Sequence, residues 1–170
     1  MTTARIKQIA RAVATAGLAF AVAGCTEQLS TKASGTPEPT MDASLVLSTA
    51  SPATGATVDV FAQIGPAAPA LVGSFTARIR YDSTALRYET ELPLADQVLR
   101  ATNATSGQVR FAGAASAGVT SGRLAGYRFL VLRPDGVRTL QLVIDELHTI
   151  ARADAASMVR AMPSRVEVAP

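Results

Sequence analysis

Several segments of the chain alternate apolar and polar residues with a period of two, the pattern of a strand with one buried face. In 57–64, Val58, Val60, Ala62 and Ile64 share one face and Thr57, Asp59 and Gln63 the other, with Phe61 the exception. In 74–81 the alternation is cleanest: Phe75, Ala77, Ile79 and Tyr81 point one way, Ser74, Thr76, Arg78 and Arg80 the other. Further strands are expected at 43–48, 86–89, 98–101, 108–112, 124–132, 138–147 and 165–168. Between them stand Ser51-Pro52, Gly65-Pro66, Asp82-Ser83, Ser106-Gly107, Ser121-Gly122 and Pro134-Asp135-Gly136, residues that favour turns for backbone reasons. Pro134-Asp135-Gly136 is expected to make a tight hairpin joining 124–132 to 138–147. Residues 154–162 suit one or two helical turns. About nine short strands with frequent turns and no long amphipathic helix predict an all-β fold, an antiparallel β-sandwich with two sheets packed on their apolar faces.

The chain opens differently. Arg5, Lys7 and Arg11 precede the uncharged stretch 12–24, the charge-then-apolar order of a secretory signal. As a helix that stretch would reach about 20 Å, short of the ~30 Å hydrocarbon core of a bilayer. It ends in Val22-Ala23-Gly24-Cys25, which resembles the bacterial lipoprotein box, in which the cysteine is acylated and becomes the new N-terminus. Cys25 is the single cysteine, so no intramolecular disulfide forms even though an exported compartment permits one. The expectation is therefore a signal peptide at 1–24, lipid on Cys25 and stable membrane anchoring through several acyl chains. Thr26 after the cysteine, rather than Asp, is compatible with the outer membrane. The alternative is an ordinary secretory signal cleaved near Ala23. Residues 25–40 are rich in Ser, Thr, Gly and Pro, too polar to offset the entropy of ordering, and read as a flexible tether to one domain at 41–170.

Residues 1–24 hold three of the 16 basic residues and none of the 13 acidic ones, so basic and acidic residues balance in the mature chain. No basic stripe remains for nucleic acid, which is not an expected partner. Acid–base or nucleophilic catalysis needs positioned titratable groups, and the chain has one histidine, His148. Ala114-Ala115-Ser116-Ala117-Gly118, with Asp135 or Asp145 and then His148, is a near miss to a nucleophile elbow. It is rejected because the surrounding residues read as a loop and no helices alternate with the strands. Asp145, Glu146 and His148 offer at most two converging metal ligands, because neighbours along a strand face opposite ways; no calcium loop is present. Neither metal nor cofactor is expected. Sugar stacking would require exposed aromatics; there is no Trp, and only Phe61 and Tyr88 are expected to face solvent.

Four features together resemble the cohesin domain, the β-sandwich jelly-roll module that binds dockerins in bacterial cellulosomes and related cell-surface assemblies. Gly55-Ala56-Thr57-Val58-Asp59-Val60 is similar to the family's early G-x-x-V-x-V strand. Gly73-Ser74-Phe75 through Ile79-Arg80-Tyr81-Asp82, followed by Leu86, resembles the strand ending in Y-D-x-x-x-L. Gly107-Gln108-Val109-Arg110-Phe111 resembles the mid-domain strand, and Gly122-Arg123-Leu124 through Phe129-Leu130-Val131 a later one. The similarity spans 43–168. Physics accounts for the Tyr-Asp motif too: the Tyr81 ring enters the core, Asp82 caps the next turn and Leu86 returns to the core.

The resemblance implies a non-catalytic module that recognises a dockerin-like protein, with the outward residues Ser74, Thr76 and Arg78 on the docking face. Family members often carry Asn or Asp where Ser74 and Thr76 stand, a departure from usual dockerin recognition. The expectation is a lipid-anchored binding protein of the cell envelope, on the periplasmic or cell-surface side. A carbohydrate-binding module acting on polysaccharide, with Phe61 and Tyr88 on one flat surface, and a purely structural envelope lipoprotein are the alternatives.

Overall fold

The computed structural model describes residues 41–65, 72–151 and 153–166; the expected signal segment, Cys25, the tether and residues 167–168 lie outside these. Ten strands run in chain order: β1 Met41–Leu47, β2 Thr57–Ile64, β3 Val72–Arg80, β4 Leu86–Glu91, β5 Leu99–Thr105, β6 Gln108–Ala114, β7 Arg123–Val131, β8 Gln141–Thr149, β9 Val159–Ala161 and β10 Arg165–Val166. One sheet has six strands in the order β10-β1-β2-β7-β4, with β9 also on β1, and the other four in the order β5-β6-β3-β8. Pairing is antiparallel throughout except for β9 and β10, which run parallel to β1. The all-β sandwich expected from the alternation is the observed architecture.

Period-two patterning explains which side of each strand is buried. Val58, Val60, Ala62 and Ile64 of β2 and Phe75, Ala77 and Ile79 of β3 face one another across the sandwich with at most 2% exposure. Tyr127 and Phe129 of β7 are fully buried between them. A chain of rings, Phe75 edge-on to Phe111 at 6.1 Å and Phe111 tilted against Tyr127 at 5.6 Å, joins the sheets.

The expected hairpin at Pro134-Asp135-Gly136 does not form. β7 ends in the six-stranded sheet and β8 begins in the four-stranded one, so the connection must cross between sheets and a tight two-residue turn is the wrong geometry. Pro134–Thr139 instead makes a 3-10 helix that closes the end of the sandwich, burying Val137 and, just beyond it, Leu140. The Thr139 hydroxyl donates to the Gly136 carbonyl at 2.7 Å and accepts from the Asp82 amide at 3.0 Å. Gly136 is required there because a Cβ would lie 2.9 Å from the Ala85 carbonyl oxygen.

Residues 154–162 are not helical beyond one 3-10 turn, Ala156–Met158, after which β9 adds to β1. The Tyr81-Asp82-Leu86 reading holds with one correction. Asp82 Oδ1 accepts from the Thr84 amide at 2.8 Å and hydroxyl at 2.7 Å, and Leu86 is fully buried. Those two Thr84 bonds hold the Asp82 carboxyl below the usual carboxylate range. Tyr81, however, is only half-buried. Its ring leans edge-on against Phe129 at 5.1 Å while its hydroxyl donates to the Thr105 carbonyl, a polar tip kept near water.

Candidate functional site

The outward side of the four-stranded sheet is the candidate surface. Registers set its rows: Leu99, Ala114, Ser74 and His148 lie side by side, then Ala101, Ala112, Thr76 and Glu146. The next rows are Asn103, Arg110, Arg78 and Val143, then Thr105, Gln108, Arg80 and Gln141. Ser74, Thr76 and Arg78 are thus brought together on one face, as the alternation requires of positions two apart. The first two rows are small or apolar on β5, β6 and β3 and end in His148 and Glu146 on β8. Their small side chains leave a shallow depression of about 390 Å³ lined by Ser74, Thr76, Leu99, Ala112, Glu146 and His148. Leu99 at its rim is 80% exposed.

The third row carries charge. Arg78 Nη2 meets Asp145 Oδ1 at 2.9 Å, a one-point contact that leaves Arg78 Nε and Asp145 Oδ2 buried without a hydrogen-bond partner among the described residues. Asp145 reaches this face because β8 is bulged: Thr76 opposes Glu146 and Ala77 opposes Ile144, so Asp145 has no partner of its own. The bulge breaks strict alternation, which is why Asp145 and Glu146 are not placed on opposite sides as expected. Glu146 and His148 share the face, but no group of three potential metal ligands forms among the described residues. Ser116 and His148 line one hollow without a hydrogen bond between them, Asp145 is taken by Arg78, and Asp135 lies beside Arg133 at 3.8 Å, so the three do not form a triad.

The outer edge of the face, β5, is held from beneath. Its inward residues Arg100 and Thr102 carry polar groups into the sandwich. Arg100 Nη1 and Nη2 donate to Asp96 Oδ1 and Oδ2 at 2.6 and 2.7 Å, and Nε donates to the Leu124 carbonyl of β7 at 2.6 Å. Asp96, with a side chain 4% exposed, also accepts from the Val98 amide and the Ser121 hydroxyl. The Arg100 bonds hold its carboxyl below the usual carboxylate range, outweighing the burial that would raise it. Thr102 Oγ1 and Tyr127 Oη lie 3.1 Å apart, and burial pushes the Tyr127 hydroxyl's pKa well up, so it stays neutral.

The outward face of the six-stranded sheet is already satisfied by its own contacts. Arg128 grips Asp59 in a two-point bridge at 2.7 and 2.9 Å, Arg165 donates to Gln63 at 2.9 Å, and the Arg123 guanidinium sits 4.4 Å over the Phe61 ring. Phe61 lies across Gly126, where a Cβ would be 2.8 Å from the ring. Tyr88, expected to face solvent, instead turns inward: its ring packs 6.0 Å from both Tyr127 and Phe129. Phe61 and Tyr88 therefore sit on opposite sides of the sheet and form no common platform.

No family model and no curated protein matches the chain. Solved structures do. The type II cohesin dyad of the adaptor scaffoldin ScaA from Acetivibrio cellulolyticus superposes with a TM-score of 0.56 at 11% identity, over 75% of this chain and 49% of that one. The sixth cohesin of scaffoldin B from the same organism, in complex with a mutant Cel5 dockerin, gives 0.55 at 12% identity over 73% and 99%. The non-cellulosomal cohesin of the archaeon Archaeoglobus fulgidus gives 0.52 at 19% identity over 74% and 86%. The domain has a cohesin-like fold. At these identities the likeness is one of fold, and the chain spans about half the length of the dyad, 49%.

Within the cohesin-like domain, the strand motifs that suggested the family fall on β2, β3, β6 and β7, the strands that build the two sheet centres. Sequence reasoning found the β3 contribution to the face and missed the rest. Leu99, Ala101, Ala112, Ala114 and Arg110 become neighbours of Ser74, Thr76 and Arg78 only through strand pairing. The local signal for β6 was its own alternation, with Val109 and Phe111 inward and Arg110 outward.

Proposed function

We propose that this chain is a non-catalytic recognition module that binds another protein through the outward face of its four-stranded sheet. The observation that carries this reading is the cohesin-like fold: among its structural neighbours is a cohesin in complex with a dockerin. The physical argument supports the same face. It combines a shallow apolar depression, an exposed leucine and two arginines, Arg80 and Arg110, that make no ion pair among the described residues, whereas the opposite sheet spends its outward charges on internal pairs. A four-strand face accommodates a contact of ordinary size, about 800 Å² per partner. The partner is dockerin-like in role, and the departure at Ser74 and Thr76 points to a recognition chemistry of its own. Cys25 in its lipoprotein-box setting supports export and lipid anchoring, which would place the module on the periplasmic or cell-surface side of a membrane. Carbohydrate stacking finds no support in Phe61 and Tyr88, which lie on opposite sides of one sheet.

The test is site-specific photocrosslinking in the cell of origin. A benzophenone side chain at Thr76 should join the chain to one protein, whereas the same probe at Gln63 on the other sheet should not. Crosslinks only from Gln63, or retention on insoluble polysaccharide with none from Thr76, would overturn the reading.

A further inference from the structure

The docking face is not uniform. Arg78 and Arg110 occupy directly opposed positions on β3 and β6, and Arg80 is one pleat further along β3. Diagonal neighbours of this kind are roughly 7–8 Å apart, within reach of long side chains, and like charges directly opposite destabilise a sheet. Among the described residues only Arg78 of the three has an acidic partner. Asp145 takes one contact from Arg78, and among the described residues Arg80 and Arg110 make no ion pair. Their flanking outward residues, Asn103, Gln108 and Gln141, are uncharged. Beside this cationic half lies the half made of Ala101, Ala112, Ala114 and Leu99, with Ser74 and Thr76 next to them and Glu146 and His148 at its far edge on β8.

We propose, resting on the protein-recognition reading above, that the partner presents an acidic segment: carboxylates over Arg78, Arg80 and Arg110, and an apolar side chain in the depression beside Leu99. Guanidinium forks grip carboxylates at two points, as Arg128 already does with Asp59 on the other sheet. A peptide satisfies both halves of the face at once. Nucleic acid fits less well, because single-strand binding uses stacking on aromatic platforms and the outward residues of the four strands include no Phe, Tyr or Trp, only the His148 imidazole away from the arginines. The acidic segment explains why like charges are kept side by side at a cost to the free domain, since a carboxylate seated among them turns their repulsion into attraction.

The experiment titrates the full chain with a fluorescent oligoglutamate peptide, and in parallel with oligolysine and a single-stranded oligonucleotide of equal length. Oligoglutamate should bind, and binding should weaken at least about tenfold as salt rises from about 0.1 M to about 1 M and the screening length contracts from about 10 Å to about 3 Å. The double variant R80E/R110E should lose binding at least about tenfold, and the neutral R80Q/R110Q should fall between, both with the circular dichroism of the parent. No oligoglutamate binding, binding unmoved by either double variant, or tighter binding of the oligonucleotide each overturns the proposal. The Thr76 crosslink separates the two levels: if it still captures a protein when oligoglutamate fails, the acidic inference falls and the recognition reading stands.

Discussion

Replacing Asp96 by Asn tests what holds β5, and with it the rim of the proposed docking face. The carboxylate receives two bonds from Arg100 and one each from the Val98 amide and the Ser121 hydroxyl, with the two side chains 4% and 11% exposed. Asparagine keeps the shape but presents an amide donor to a guanidinium that can only donate, and leaves the Arg100 charge buried without compensation. Removing one member of a buried pair costs about 3–5 kcal/mol, against a typical domain stability of about 5–15 kcal/mol. At roughly 3–5 °C per kcal/mol for a domain of this size, the melting temperature should fall by about 10–20 °C. The chain has no tryptophan, so urea unfolding is followed by tyrosine fluorescence or circular dichroism.

The pH dependence follows from the lowered carboxyl pKa of folded Asp96. A group more acidic folded than unfolded contributes its stability in full above the unfolded value, near 3.9, and loses it as pH falls toward the folded value. Wild type and variant should therefore differ most at neutral pH and converge below about pH 4. A neutral-pH difference under about 1 kcal/mol, or one that does not shrink in acid, would refute the reasoning. Asp96→Asn combined with Arg100→Met should recover part of the loss, because no unpaired charge remains.

Two further outcomes are expected. Gly113→Ala drives a methyl into the Phe75 ring at the sheet interface. Overpacking of about 1–3 kcal/mol outweighs the ~0.5 kcal/mol entropic gain of losing a glycine, so urea midpoints should drop, and an unchanged midpoint would show that the ring moves freely. Cys25→Ser should release the protein from the membrane fraction on cell fractionation; retention would mean that something other than lipid holds it there.

Where burial is one-sided and regular, the sequence was readable: β2 spans the residues expected, and the β3 alternation correctly separates Phe75, Ala77 and Ile79 from Ser74, Thr76 and Arg78. β5 was cut short because its inward Arg100 and Thr102 reach the core with hydrogen-bonding groups, so the apolar rhythm stops while the strand continues. β8 defeats a strict two-residue period by its bulge at Asp145. The hairpin reading of Pro134-Asp135-Gly136 failed for a different reason. Turn chemistry shows that the chain bends but not which sheet it enters next. The face of the candidate site is likewise a product of pairing, since Arg110 is 32 residues from Arg78 along the chain and beside it in the sheet.

The strand order also governs how the domain assembles. Only β1 with β2 and β5 with β6 pair with their immediate successors; β2 waits for β7, β3 for β8, and β1 for both β9 and β10 at the far end of the chain. Loop closure over such distances is slow, placing this sandwich among domains that fold in about milliseconds to seconds. The β5–β6 ribbon, turned at Gly107 with its positive φ of 80°, is the local element that can form early. The first strand becomes fully paired only after the last has arrived, so a nascent chain halted before residue 159 exposes one edge of β1 to whatever strand it meets first.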